Sequence, residues 1–237
     1  MAAPPVIVFD LDGTLVDTAP DLLATLNAVL AAEGFNPVTR DQIVGHVGRG
    51  ARVMIERVFA AASRPLSEEK REALFRKFLV HYSDHLADTS RPFPGAEAAL
   101  ERFAADGWRL AICTNKLEAP ARKLLDLLGL GQRFAAISGQ DTFGVAKPDP
   151  RHLVETIRQA GGTPDRAVMV GDSDVDVDTA LAANVPVIAV SFGYSPRPAA
   201  ELGATAIIDH FDQLYSAVAA ITPRLSRRAG ITTIRSP

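Results

Sequence analysis

The sequence is poor in the features that would direct it to an oxidising compartment, a membrane or a nucleic acid. It has a single cysteine, Cys113, so the chain cannot form an internal disulfide. No apolar run approaches the roughly 20 residues of a membrane-spanning helix, and residues 1–5 lack the basic and apolar regions of an export signal. The formal net charge is only -3, which gives no electrostatic reason to expect a nucleic acid or an anionic membrane as the partner. We therefore expect a soluble cytoplasmic protein.

What the sequence does contain is a series of short apolar runs separated by helical patterns. The first run, Val6–Phe9, is continuous and rich in β-branched residues, which is typical of a strand buried on both faces. The other strand candidates are 110–113, 167–170 and 185–190, with weaker ones at 135–138 and 206–208. The helical patterns cover 96–105, 119–128, 151–160 and 176–183. This alternation predicts an α/β fold, with a doubly wound, mostly parallel sheet as its Rossmann-like core.

The interval between the first two strand candidates has only helical patterns. Thr18 is positioned as a helix cap with Pro20 in the first turn, and Ser67 is positioned to cap a later, longer helix. About 70 residues of helix in this place predict a small cap domain over the sheet. The predicted organisation is an α/β core from 1–16 and 92–221, a helical cap from 17–91 and a mobile tail from 222–237.

Four short polar segments lie at or just beyond the ends of predicted strands. They are Asp10-x-Asp12-Gly13-Thr14, Thr114-Asn115, Lys147-Pro148 and Gly171-Asp172-x-x-x-Asp176. In an open parallel sheet, ligands bind beyond the carboxyl ends of the strands, where the strand order reverses. We therefore expect the fold to bring these four segments together.

The charges in these segments predict a metal site. Asp10 and Asp12 point to the same side of an extended strand, and two carboxylates about 4 Å apart repel each other by about 4 kcal/mol at an effective dielectric constant of 20. A bound phosphate dianion would increase the repulsion. A divalent cation and an ammonium group can offset it, and Asp172 adds the kind of hard oxygen ligand that suits Mg²⁺. Lys147 supplies the ammonium group.

These four segments, in this order, closely resemble the phosphatases of the haloacid dehalogenase superfamily that carry a helical cap after the first motif. The resemblance covers residues 6–220 and implies three catalytic residues. Asp10 would be the nucleophile that takes the phosphoryl group, Asp12 the acid and then the base, and Lys147 the cation that stabilises the transferring group. Thr114 and the backbone N–H of Asn115 would bind the phosphoryl oxygens.

The resemblance also implies how the metal is held. Mg²⁺ would be bound by the Asp10 carboxylate, the backbone carbonyl of Asp12 and the carboxylate of Asp172, and Asp176 would support these ligands from behind. One residue departs from the family pattern: Asp174 stands where relatives commonly carry a neutral or basic residue. It adds negative charge near the metal without removing a required group.

Four further segments resemble the phosphoglycolate phosphatase group of this family. They are DGTLVD at 12–17, GHVGRG at 45–50, FPG at 93–95 and SFGY at 191–194. The implied substrate, 2-phosphoglycolate, carries a carboxylate that the core motifs do not account for. We expect a flexible, glycine-rich cap loop at 45–52 to bind it, where His46, Arg49 and Arg52 offer positive charge or hydrogen-bond donors. Arg49, between Gly48 and Gly50, is the first choice, because its planar guanidinium suits a carboxylate.

Several other functions remain open from the sequence. A phosphomutase on the same scaffold would use the same motifs, and another small phosphoester or pyrophosphate could be the substrate. Hydrolytic dehalogenation does not need the second carboxylate, so Asp12 counts against it. A non-catalytic protein that binds a phosphorylated ligand is the remote alternative, since every expected catalytic residue is present. The sequence also leaves open whether the chain is a monomer or a homodimer.

Overall fold

The computed structural model describes residues 3–222. In this part of the chain the strands are β1 (Val6–Phe9), β2 (Val16–Asp17), β3 (Arg91–Pro92), β4 (Arg109–Cys113), β5 (Ala136–Ser138), β6 (Ala167–Gly171), β7 (Val187–Val190) and β8 (Ala206–Ile208). The α-helices are α1 (Ala19–Ala31), α2 (Arg40–Ile43), α3 (Ala51–Ala61), α4 (Glu68–Asp84), α5 (Ala96–Ala105), α6 (Glu118–Leu127), α7 (Pro150–Gln159), α8 (Asp174–Ala182) and α9 (Leu214–Ile221).

The main sheet is parallel and has β1 near its centre. Its strand order is β5-β4-β1-β6-β7-β8, and every pairing between these neighbours is parallel. The chain runs from β1 outwards to β4 and β5, then returns to the other side of β1 and continues outwards. The strand order therefore reverses at β1, and the prediction of a doubly wound, Rossmann-like sheet is confirmed.

Both faces of the sheet are buried, as the continuous apolar runs predicted. Val6 and Val8 of β1 face one apolar cluster, which also contains residues of α7 and α8. Ile7 and Phe9 face a second, larger cluster that includes residues of α5, α6 and α9. Successive side chains of a strand point to opposite faces, so β1 contributes to both clusters and needs apolar residues at every position.

The helical segment between β2 and β3 packs onto the larger of the two clusters. Buried side chains of α1, α3 and α4 belong to it, and β2 and β3 form a small antiparallel ribbon where this segment leaves and rejoins the core. The predicted division at 17–91 falls within that ribbon. The treatment of this segment as a separate cap domain stays a prediction.

Two local expectations in the helical segment need correction. Thr18 occupies the position before α1 but makes no side-chain cap bond; its hydroxyl instead donates to Asp12. The stretch expected to be a flexible loop is a 3₁₀ helix, Val44–Arg49, which ends at Gly50 with φ of 91°. Ser67 does cap α4, since its side chain accepts a hydrogen bond from the backbone N–H of Lys70. Both capping patterns therefore mark the start of a helix, but only the Ser67 hydroxyl makes the expected capping hydrogen bond.

The expected mobile tail lies almost entirely outside the described residues. Thr222, the first residue of that tail, directly follows α9, and residues 223–237 are not among those described. Within residues 3–222, none of the helices combines the length and the apolarity needed to span a bilayer.

Candidate active site

The polar segments converge because β1 lies between β4 and β6. Asp10 follows β1, Thr114 follows β4 and Asp172 follows β6, so parallel pairing places their backbones side by side at the carboxyl edge of the sheet. Lys147 was expected just beyond a strand, but it reaches the same edge from the loop between β5 and α7. Its Nζ lies 2.7 Å from Oδ1 of Asp10. The prediction that these segments meet at the point of strand reversal is confirmed.

Three buried carboxylates form the centre of the site. Ligand atoms of Asp10, Asp172 and Asp176 all lie within 4.8 Å of one another. Lys147 is buried with them, and its Nζ also lies 2.5 Å from Oδ1 of Asp176. We call these four residues the Asp10 cluster. It combines three acidic groups with one cation in a space shielded from solvent.

Burial and mutual repulsion change the titration of the cluster. Burial raises the pKa of Asp10 to about 7, and the charge of Asp176 adds to the rise while Lys147 opposes it. Burial, followed by the charges of Asp176 and Asp10, raises the pKa of Asp172 well above its usual value. Burial opposes ionisation of Lys147, but the charges of Asp10 and Asp176 outweigh it and raise the pKa of the ammonium group.

The donor set of the cluster fits a divalent metal ion. With all groups ionised, three carboxylates and one ammonium leave two uncompensated negative charges in a buried site. Uncompensated buried charge is costly, and a divalent cation is the simplest group that removes this cost. The ligand atoms are all carboxylate oxygens, which favours a hard cation such as Mg²⁺ over softer transition metals.

The backbone at Gly13 allows the loop after β1 to pass close to Asp172. Gly13 has φ of +87°, and a Cβ atom there would lie 2.6 Å from Cδ2 of Tyr194 and 2.8 Å from Oδ2 of Asp172. Both the conformation and the space therefore require glycine. Asp172 is further fixed by the N–H of Tyr194, at 2.5 Å, and by the hydroxyl of Thr14, at 3.2 Å.

Asp176 is held by the start of its own helix. Its Oδ2 accepts hydrogen bonds from the backbone N–H groups of Asp172 and Ser173, at 3.2 and 3.1 Å, and from the Ser173 hydroxyl at 2.6 Å. The Ser173 side chain in turn accepts from the N–H of Asp176, which completes a capping box. This cap explains why α8 begins at Asp174, two residues before the predicted start. It leaves Oδ1 of Asp176 directed at Lys147.

Asn115 connects the loops that surround the cluster. Its Oδ1 accepts from the N–H of Lys147 at 2.9 Å, and its Nδ2 donates to the carbonyls of Lys147 at 3.1 Å and Gly48 at 3.3 Å. The hydroxyl of Thr114 accepts from the N–H of Lys116 at 3.2 Å. The Asn115 side chain therefore fixes the loop that carries Lys147 and contacts the helical segment, while its backbone N–H lies at the end of β4.

Asp12 lies in a separate group that the sequence did not predict. Nζ of Lys116 donates to both carboxylate oxygens of Asp12, at 2.8 and 3.2 Å, and to the hydroxyl of Tyr82 at 2.9 Å. The Thr18 hydroxyl donates to Asp12 Oδ1 at 2.7 Å. We call these four residues the Asp12 cluster. The only signal for Lys116 in the sequence is its position directly after Asn115.

The two expected cap residues, Gly48 and Arg49, line a second small cavity together with Asp172 and Asp174. The Gly48 carbonyl contacts Asn115 at the rim. The Arg49 side chain is partly exposed and forms an ion pair with Asp174, 2.7 Å between Nη2 and Oδ2. The residue that departs from the family pattern is thus the partner of the residue expected to bind substrate.

A cavity of about 40 Å³ opens between Asp12 and the helical segment. Its polar lining consists of Asp12, Lys116, Asn115, Tyr82 and Gln140, and its apolar lining includes Leu22, Met54, Phe75 and Phe78. Arg49 is not among the residues that line it. The cavity lies between the carboxyl edge of the sheet and the face of α4 that carries Phe75, Phe78 and Tyr82.

Comparisons with known proteins agree with this geometry. A profile of the family described as haloacid dehalogenase-like hydrolase matches residues 7–190. The chain is 54% identical over 226 residues to a phosphoglycolate phosphatase from Mesorhizobium japonicum, which covers 95% of this chain and 98% of that protein. It is 47% identical over 221 residues to a phosphoglycolate phosphatase from Agrobacterium fabrum, covering 93% and 92% of the two chains.

A solved structure has the same fold. The crystal structure of a predicted phosphoglycolate phosphatase from Haemophilus somnus superposes with a TM-score of 0.84 at 28% identity, covering 90% of this chain and 97% of that one. The family profile and these relatives confirm the resemblance that the motifs indicated. The chain belongs to the haloacid dehalogenase-like hydrolase family.

Proposed function

We propose that this protein is a magnesium-dependent phosphatase that hydrolyses 2-phosphoglycolate in the cytoplasm through an aspartyl-phosphate on Asp10. The observation that carries the proposal is the pairing of two carboxylates on one strand end. Asp10 lies in a metal-fitting acidic cluster beside Lys147, and Asp12 lies two residues further on at the mouth of a small cavity. A nucleophile and an acid–base group are thus available on one phosphoester.

The carboxylates of Asp10 and Asp172, with the backbone carbonyl of Asp12, would hold Mg²⁺. The bound ion would neutralise negative charge on the phosphoryl oxygens. Asp176 would keep these ligands in place, because its own oxygens are fixed by Ser173 and Lys147.

The chain's residues account for the two chemical steps. In the first, a carboxylate oxygen of Asp10 bonds to phosphorus while the ester P–O bond breaks, and Asp12 gives its proton to the leaving alkoxide. In the second, Asp12 takes a proton from water, whose oxygen bonds to phosphorus and releases phosphate and free Asp10. Lys147, the Thr114 hydroxyl and the Asn115 N–H would stabilise the phosphoryl oxygens.

Two observations support 2-phosphoglycolate as the substrate. The relatives from Mesorhizobium japonicum and Agrobacterium fabrum are phosphoglycolate phosphatases, and they match this chain over nearly its whole length. The cavity beside Asp12 is also small, at about 40 Å³, which favours a short organic group over a sugar.

A panel of phosphorylated metabolites, assayed for phosphate release with Mg²⁺, tests the proposal. We expect 2-phosphoglycolate to have the highest kcat/KM, ahead of sugar phosphates and pyrophosphate. A higher kcat/KM for another compound in the panel would show that the proposed substrate is wrong but that the protein is a phosphatase. Exchange of label between sugar phosphate isomers without release of phosphate would instead identify a phosphomutase.

A further inference from the structure

We infer that Lys116, positioned by Tyr82, reads the carboxylate of the substrate and sets the specificity of the site. The inference rests on the proposed function, because it assigns a residue to the carboxylate of 2-phosphoglycolate. It replaces Arg49 in that role.

Lys116 is a buried cation that faces the cavity. Its side chain is only 7% exposed, and it is the one lysine or arginine among the residues that line the cavity. Its ammonium group lies 4.6 Å from the centre of the Tyr82 ring and donates to the Tyr82 hydroxyl. The low local dielectric strengthens its attraction to an anion over that of a surface cation. The cavity therefore has one charged group suited to bind an anionic substrate tail.

Lys116 lies where the carboxylate of the substrate is expected when the ester oxygen contacts Asp12. The ester oxygen of a bound phosphoester must lie within about 3 Å of Asp12 to receive its proton. Nζ of Lys116 is 2.8 Å from that same carboxylate. In 2-phosphoglycolate a single methylene separates the ester oxygen from the carboxylate carbon. A carboxylate so close to the ester oxygen lies within reach of Nζ.

The size of the cavity adds a second restriction. One water-sized group needs roughly 10–15 Å³ of such space, so about 40 Å³ holds about three. A carboxymethyl group fits this space. Met54, Phe75 and Phe78 close the apolar side, and they offer no hydrogen bonds to the hydroxyls of a sugar. The small volume thus favours a two-carbon acid, and Lys116 supplies the charge that it requires.

Arg49 is poorly placed for the same task. Its guanidinium already pairs with Asp174, and its side chain is 47% exposed. Reading a carboxylate beside Asp12 would require it to leave this partner and enter a cavity that it does not line. Lys116 already lines this cavity, and a carboxylate bound there would share its ammonium group with Asp12 and Tyr82.

The test compares Lys116→Met with Arg49→Met on two substrates. The substrates are 2-phosphoglycolate and 2-hydroxyethyl phosphate, which has the same length but carries a neutral CH₂OH group. The readout is the ratio of their kcat/KM values, in which any general effect of the substitution on Asp12 cancels. We expect Lys116→Met to reduce this ratio by about 10- to 150-fold, the range for a hydrogen bond to a charged group. Arg49→Met should leave the ratio within about threefold.

Further variants keep the outcome clear. Lys116→Gln serves if the Met variant does not fold, and Lys116→Arg, which keeps the charge, should restore part of the ratio. Tyr82→Phe should raise KM for 2-phosphoglycolate more than it lowers kcat, because it loosens the ammonium group without removing it. An unchanged ratio in both Lys116→Met and Lys116→Gln, or a loss in Arg49→Met alone, would overturn the inference. If the wild type itself does not prefer 2-phosphoglycolate, the proposed substrate is wrong, which is a separate result.

Discussion

The Asp10 cluster and the Asp12 cluster are neighbours that differ in charge balance and not in burial. The side chains of Asp10 and Asp12 are 4% and 9% exposed. Asp10 shares one ammonium with two other carboxylates, whereas Asp12 has an ammonium of its own and two hydroxyl groups nearby. The first cluster needs an external cation and the second does not. The residues around them therefore give the two carboxylates of one short motif different chemical properties.

The largest expected effect comes from breaking the Asp10 cluster at its nucleophile. Asp10→Asn should reduce kcat by at least about 10⁴-fold, because it removes the covalent route. The fold should persist, since Asn relieves repulsion among the carboxylates. Steady-state assays with circular dichroism as the control for folding measure both outcomes. Substantial turnover in a folded variant would mean that another group attacks phosphorus.

Asp172→Asn tests whether the Asp10 cluster needs an external cation, because it should affect Mg²⁺ binding and stability in opposite directions. It should weaken Mg²⁺ binding by about 100-fold or more, since groups behind metal ligands already contribute 10- to 100-fold. In the metal-free protein it should raise Tm, by about 2–4 °C for each kcal/mol of repulsion relieved. Asn can still accept from the N–H of Tyr194, whose bond to Asp172 is 2.5 Å.

Calorimetric titration with Mg²⁺ and thermal melts in a chelator make the two measurements. The matched control is Asp174→Asn, which removes a nearby charge from outside the Asp10 cluster and should change Mg²⁺ affinity far less. Equal losses of affinity in the two variants would show that general charge, and not ligation by Asp172, governs binding of the metal.

The Asp10 cluster was predictable from the sequence because local patterns create it. Strands that the apolar runs predict end directly before Asp10 and Asp172, and parallel pairing then brings these strand ends together. The capping box at Ser173, which fixes Asp176, was not predicted. The Asp12 cluster was not predictable in this way. Its contact between Lys116 and Tyr82 depends on how α4 lies over the sheet edge, and no local pattern encodes that placement.

Contacts that no local pattern encodes also explain why the predictions for Thr18 and for residues 44–49 were wrong. A capping pattern shows that a hydroxyl can accept from the helix start, but Thr18 has a carboxylate within reach and donates to it instead. Three glycines in six residues suggested a loop, yet residues 44–49 form a 3₁₀ helix, which Gly50 ends. Competing long-range partners and packing decided both cases.

A pH experiment tests whether the buried His152, near the Asp10 cluster, makes stability depend on pH. His152 is fully buried in α7, and burial, with the nearby charge of Lys147, lowers its pKa to about 4 from 6.5. Because the folded-state pKa is depressed, the neutral ring contributes stability that is fully present above pH 6.5 and is lost as the pH falls towards 4. Between pH 6.5 and 5 this loss should amount to about 2 kcal/mol.

The measurement is the free energy of unfolding by urea, at several pH values, for the wild type and His152→Gln. The difference between the two curves isolates His152, because Asp10 and the other titrating groups are common to both. The wild type should lose about 2 kcal/mol more than the variant over this range. Parallel curves would show that His152 does not contribute to the pH dependence.

The smallest effect is expected where the helical segment meets the core at an exposed ion pair. The partners Arg49 and Asp174 are 47% and 32% exposed, although their charged atoms are only 2.7 Å apart. Exposed pairs contribute about 0.2–1 kcal/mol because water screens the attraction and two side chains lose freedom. A double-mutant cycle of Arg49→Met and Asp174→Asn, by urea unfolding in a chelator, should therefore give a coupling energy below about 1 kcal/mol.

Salt provides the internal control for this cycle. Raising the ionic strength from 0.01 to 1 M shortens the screening length from about 30 to 3 Å, so the coupling between Arg49 and Asp174 should fall towards zero. The buried contact of Lys116 with Asp12, at a similar distance, is shielded from these ions and should keep its effect on substrate selectivity in the same salt. A coupling between Arg49 and Asp174 above about 2 kcal/mol that persists in 1 M salt would contradict the prediction. It would mean that this pair holds the helical segment on the core as firmly as a buried contact does.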